Sequence, residues 1–323
     1  MNNKFSFNTE ADCFERAFPI GNGKLGAMIY GGVCSDRLSL NSDTLWSGHS
    51  ESGGAPKNAP QIYRQAAQLV NEGKNYEADK LLEENFNYTI GQYYLPGGSV
   101  YINSSYSELS DYKRTLNMSD GTVHVGFKAD GVSYNRIYFA SEKYDCIAVK
   151  EKSGKNGGLS FKVSYESEVR LTETEIRGDV LLISGICPYD ADRTEYYNPQ
   201  FVYSDKEKSI SFTAAINVRT TGGSCTVSEN EIRVEGADEA EIYISIKTSY
   251  IDPYSVPDKE HKNAAYEAVT SCKSFCEAEE CHKKNFAELY SRVSLNLGGD
   301  TDDCDNERRL AEFDGTDKGM YEL

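Results

Sequence analysis

Thr122-Val-His-Val-Gly-Phe127 and Ser133-Tyr-Asn-Arg-Ile-Tyr-Phe139 lie on either side of Asp130-Gly131, and this stretch decides the fold. Apolar and polar residues alternate in both runs, with the period of side chains on a pleated strand. Asp-Gly suits a two-residue hairpin turn, whose central residues both need positive φ. Further strand-like runs follow at 146–150, 159–165, 179–184, 209–219, 231–234 and 241–247, separated by clusters of Gly, Asn and Asp. Many short strands punctuated in this way predict a sandwich. The aromatic content agrees: 23 Tyr stand against 13 Phe and one Trp, and Tyr suits half-buried pleated surfaces.

Outward from this centre the pattern changes twice. On the N-terminal side, Ile62, Ala66, Leu69 and Val70 fall on one helical face after Asn58 and Pro60. Ala78, Leu81, Leu82 and Phe86 repeat that spacing after Gly73. On the C-terminal side, beyond Pro253 and Pro257, Ala265, Ala268, Val269, Cys272, Phe275 and Cys276 share one helical stripe. A second stripe carries His282, Phe286, Leu289, Tyr290 and Val293. Val293-Ser-Leu-Asn-Leu297 reads as strand, 299–306 as an acidic linker, and Glu307–Phe313 as the start of a helix, with the end at Leu323 expected to be a cut rather than a finish. The expected fold is mainly β, a β-supersandwich over 1–255 followed by a helical linker segment over 256–323. At about 150 residues per domain, 323 residues allow two such units.

Composition narrows the function. With 34 Lys and Arg against 51 Asp and Glu, the net charge is −17, which repels phosphate backbones. The expected partner is a neutral substrate, with no nucleic acid. No run approaches the roughly 20 apolar residues of a membrane span, so no membrane partner is expected. Nine cysteines, an odd number without framework spacing, point to reduced thiols. Residues 1–17 lack the apolar core of a secretory leader, so the expectation is a cytoplasmic protein; a chain already trimmed of its leader would read the same.

Three stretches suggest chemistry. Gly21-Asn-Gly-Lys-Leu-Gly26 matches the dinucleotide fingerprint, but only Ala27–Tyr30 follows before Gly31-Gly32, too short for the helix that receives a pyrophosphate. A tight turn between strands is expected there, with no cofactor. Cys272, Cys276, Cys281 and His282 suggest zinc, yet Cys272, Cys276 and His282 lie on the apolar stripes and are expected to pack, with no metal. Leu38-Ser-Leu-Asn41-Ser-Asp43-Thr44-Leu-Trp46-Ser-Gly48 places the sole Trp in a polar loop beyond a strand. Trp46 either stacks on the apolar face of a sugar, or plugs the sandwich edge or packs at an interface. The polar neighbours favour a loop that projects, with Asn41, Asp43, Thr44 and Trp46 as the substrate-proximal or domain-interface residues.

Phe18-Pro-Ile-Gly-Asn-Gly-Lys-Leu-Gly-Ala-Met28 followed by Leu40-Asn-Ser-Asp-Thr-Leu-Trp-Ser-Gly48 resembles the opening of glycoside hydrolase family 95. These enzymes are α-L-fucosidases, with α-L-galactosidases among them. The likeness continues through Pro96-Gly-Gly98, Tyr112-Lys-Arg114, Gly131–Arg136, Phe139-Ala-Ser141, Val234–Asp238, Thr248-Ser-Tyr250 and His282–Gly298. Ser42 and Ser99 depart from the Glu and Asp common in the family. The resemblance implies a supersandwich, a helical linker, an (α/α)6 barrel and a C-terminal β domain, of which this chain matches the first two. It also implies inverting hydrolysis of terminal fucosyl groups by barrel residues, so no catalytic residue is assigned here. The implied partners are a fucosylated oligosaccharide or glycan, met through the full-length enzyme, and the barrel of the same polypeptide. The alternatives are a stand-alone carbohydrate-binding or structural β-sandwich module, and a nucleotide-binding protein using Gly21–Gly26.

Overall fold

A computed structural model of the chain describes residues 4–48, 56–86, 92–192, 200–203, 208–252, 255, 257–258, 260–299 and 306–322. Two antiparallel sheets face one another. The larger runs, in spatial order, through Lys4–Phe7, Ser110–Asn117, Thr122–Ala129, Val132–Ser141, Cys146–Ser153, Glu239–Thr248, Ser211–Thr221, Val180–Ile186 and Leu171–Arg177. The smaller runs through Ser224–Val227, Ile232–Ala237, Leu159–Glu166, Ser99–Ser104, Ser35–Ser42, Leu25–Ile29 and Phe18–Gly21. The central hairpin forms as its residues dictate. Asp130 and Gly131 take φ of 50° and 76°, and Val123 pairs with Tyr138 across the ladder.

The core lies between the sheets. Leu38, Leu40, Val100 and Ile102 from the smaller sheet meet Val123, Tyr138, Ile147, Val149, Ile242 and Ile244 from the larger. A second apolar layer covers the opposite face of the larger sheet. There Phe139, Cys146, Ala148, Val180, Leu182, Ala215 and Tyr243 are roofed by Ala265, Val269, Cys272, Phe275 and Ala278. These last five belong to the helices His261–Ser271 and Phe275–Tyr290 and to the turn between them. The two layers explain why Val180–Ile186 is buried at every position and carries no polar-out alternation.

The sequence expectation fails at three places in this tail, the first being the second stripe, which buries His282 but leaves Leu289 and Tyr290 exposed. The stripe from Ala265 to Cys276 is not one helix: Cys272 turns extended at φ −68°, ψ 108°, and Ser274 caps a new helix by accepting from Glu277 N at 3.2 Å. The helical phase restarts, so Cys276 faces solvent and is not a packing residue, while Cys272 is fully buried. Val293–Leu297 forms no strand. Its Val293, Leu295 and Leu297 are exposed. The chain returns instead to the first strand, where Asn306 Oδ1 accepts from Ser6 N at 2.6 Å and so caps part of an open edge.

The helices Ala59–Asn71 and Asn75–Phe86 form an antiparallel pair inserted between two adjacent strands of the smaller sheet. Ile62, Ala66 and Ala78 are buried, but Val70 is exposed and does not share their face. No described helix is long and apolar enough to cross a membrane.

Candidate functional site

The loop that leaves Ser35–Ser42 is built by alternation. Leu45 points into the core with no exposure, Trp46 points out, and Ser47 points in again. A short ladder fixes this register: Ser47 N donates to Tyr93 O at 2.8 Å and Leu95 N to Leu45 O at 3.0 Å, with Trp46 bridged to Tyr94. The indole is 40% exposed, so Trp46 is not a core plug. Its Nε1 donates to the Asp43 carbonyl at 2.8 Å, and its ring centre lies 4.9 Å from that of Tyr94. The Tyr94 hydroxyl donates to Asn41 Oδ1. Burial raises the Tyr94 phenol above its usual value, so it stays a neutral donor.

Asn41 and Trp46 therefore meet through Tyr94, a residue that sequence reasoning missed. Its one signal is the Tyr93-Tyr94 pair ahead of Pro96-Gly-Gly98, and nothing separates it from the other tyrosines without the fold. Asp43 contributes its carbonyl to the indole, and its side chain is exposed. Thr44 turns the other way: its hydroxyl meets that of Thr248 at 2.6 Å and ties the loop to the opposite sheet. The result is an aromatic platform with an amide beside it, suited to the apolar face and hydroxyls of a sugar ring. Asp43 is the only carboxylate in Asn41–Gly48, whereas inverting glycoside hydrolysis needs an acid and a base.

The strongly perturbed carboxylate sits elsewhere and is sealed. Asp36 is raised to about 6 by burial, against the pull of Arg136 and hydrogen bonds from Tyr138, Gly32 and Gly31. With no solvent exposure it has no route to a substrate, and its partners make it a clamp between the sheets. The fingerprint Gly21–Gly26 is a hairpin turn between Phe18–Gly21 and Leu25–Ile29, with Asn22 Oδ1 accepting from Lys24 N and Leu25 N. No helix follows it to receive a phosphate. In the tail, His282 stacks on Phe139 at 5.0 Å, and burial holds its pKa below the usual value. Among the described residues no three or more His, Cys, Asp or Glu side chains gather as metal ligands. Cys304 lies outside the described residues.

Residues 5–253 match the family model described as Glycosyl hydrolase family 65, N-terminal domain. The chain belongs to that family. Its match ends at 253, between the last sandwich strand, which closes at Thr248, and the first tail helix, which opens at His261. This family 65 N-terminal domain chain is also 28% identical over 312 residues to Alpha-L-fucosidase 2 of Arabidopsis thaliana. That alignment covers 92% of this chain and 37% of the relative, and it carries the likeness to family 95. Among solved structures it is similar to a putative kojibiose phosphorylase from human microbiome, at a TM-score of 0.48 and 10% identity. That match covers 90% of this chain and 39% of the phosphorylase.

Proposed function

We propose that the chain is the N-terminal, non-catalytic part of an inverting α-L-fucosidase-type glycoside hydrolase that removes terminal fucosyl residues from glycans. The observation that carries the reading is the similarity to the plant fucosidase across 92% of this chain, confined to 37% of the relative. In this reading residues 1–255 form the sandwich, 256–323 link it to an (α/α)6 barrel of the same polypeptide, and the barrel holds the acid and base. The sandwich scaffolds the barrel and lends it the Asn41–Trp46 loop as part of the active-site rim. Unbridged cysteines at eight described positions fit a reducing, cytoplasmic setting.

The exposed Trp46–Tyr94 platform supports a second reading, a carbohydrate-binding module without catalysis. Proton NMR of an α-L-fucoside treated with the complete gene product separates the two. Release of fucose first as the β-anomer is the expected result. Release as the α-anomer contradicts inversion, and no release leaves the binding module as the reading.

A further inference from the structure

The outer face of the smaller sheet carries a depression that adjoins the Trp46 platform at Asn41 and Tyr94 and extends well beyond it. One row of residues crosses five strands in register: Pro19 beside Met28, Met28 beside Ser39, Ser39 beside Ser99, and Ser99 beside Glu166. Ser39 and Ser99 in this row are small, so the larger neighbours Arg37, Tyr101, Tyr94 and Asn41 stand up around a cavity of about 640 Å³. That lies within the roughly 300–1,000 Å³ span of small-molecule sites.

The polar groups around it are held but not used up. Arg37 donates Nε to Ser99 Oγ at 3.1 Å and lies over the Tyr30 ring at 5.2 Å, which orients the guanidinium; its Nη groups have no partner among the described residues. Asn41 accepts from Tyr94 through Oδ1 and keeps its amide N–H groups. The Ser39 hydroxyl on the floor is buried without a partner. Glu166 and Glu168 offer acceptors at one end, so a single guanidinium faces two carboxylates and an anion is disfavoured.

Neutral donors and acceptors beside tyrosine rings and the Met28 side chain suit a ligand that is hydroxylated on its edge and apolar on its face. We infer that this cavity is a second subsite, adjoining the Trp46 rim through Asn41 and Tyr94, that takes a short neutral saccharide. The saccharide class rests on the glycoside hydrolase reading; the cavity and its unused donors do not.

The test is calorimetric titration of the 323-residue chain with 2′-fucosyllactose and, separately, with maltotriose. Saturable binding of at least one is expected, about tenfold weaker in Arg37→Ala, the loss of a hydrogen bond to a charged group. Tyr101→Ala weakens it similarly. Arg37→Lys retains part of the affinity and shows that the sheet is intact, and Lys162→Ala, on the same face outside the cavity, leaves it unchanged. No saturable binding of either sugar overturns the proposal, as does binding that Trp46→Ala abolishes and Arg37→Ala leaves intact. Fucoside hydrolysis by the complete gene product bears only on the enzyme reading, so either proposal can fail alone.

Discussion

Arg136 and Glu151 face each other on adjacent strands, with Nε 3.0 Å from Oε2 and neither side chain open to solvent. The contact is an ion pair without the alignment of a hydrogen bond. Around it Arg136 donates to Gly32 O at 2.6 Å and Val33 O at 3.3 Å, and Tyr138 donates to Asp36 Oδ2 at 2.5 Å. Arg136 and Tyr138 from one sheet therefore grip a backbone turn and a carboxyl group from the other. The pairing holds the sheets in one register where an apolar core alone tolerates sliding.

Removing Glu151 leaves the buried guanidinium without its countercharge. Glu151→Ala is expected to cost about 3–5 kcal/mol, seen as a large fall in the urea unfolding midpoint. Lys128→Ala, which breaks an exposed pair with Asp111, leaves that midpoint nearly unchanged. Equal effects of the two would contradict a structural role for the clamp.

Asp36 gives the clamp a pH dependence. Its folded pKa, about 6, is above the ordinary 3.8, so the folded chain holds the proton more tightly than the unfolded one. Its stabilising contribution is complete below about 3.8 and is lost as pH rises through about 6. The stability of wild type relative to Asp36→Asn should therefore fall between pH 4 and pH 6.5. Urea titrations at several pH values measure this, and a difference that rises with pH would contradict the assignment.

Phe275 seals the seam between tail and sandwich, 2% exposed and 5.2 Å from Phe139. Phe275→Ala is expected to cost about 3–5 kcal/mol of packing. Cleavage by limited proteolysis should move into 249–290 while the sandwich survives. Cleavage spread evenly over the strands would show that tail and sandwich unfold as one.

The hairpin was legible because its turn chemistry and its period are local. The inward Arg136 was not, since alternation assigns charge to solvent unless a distant partner, here Asp36 and Glu151, receives it. Cys276 was misread because the break at Cys272–Ser274 resets helical phase, and only packing against the outer face of the larger sheet locates that break. At the site, the polar setting of Trp46 pointed outward correctly. Tyr94, which joins Trp46 to Asn41, depends on a ladder between segments nearly fifty residues apart, and its one sequence signal, the Tyr93-Tyr94 pair, does not set it apart from the other tyrosines.

Trp46 is the sole tryptophan among 23 tyrosines, so fluorescence excited selectively at the red edge of the indole band reports its loop alone. Acrylamide should quench it readily, given 40% exposure, and Trp46→Ala should change stability little. In the complete gene product the same substitution should lower kcat/KM for fucosides. Resistance to quenching in the 323-residue chain would place the indole inside the sandwich.

In the proposed reading this chain carries the sandwich and its rim but not the chemistry. A positioned general acid or base contributes typically about 10²–10⁴-fold, and surface carboxylates at arbitrary distances do not replace it. The most direct measurement is turnover of an aryl α-L-fucoside by the 323-residue chain beside the complete gene product at equal concentration. The account predicts turnover by the complete product and none above background by the chain. Comparable turnover by the chain, with inversion at the anomeric carbon, would contradict it and place the active site within these residues.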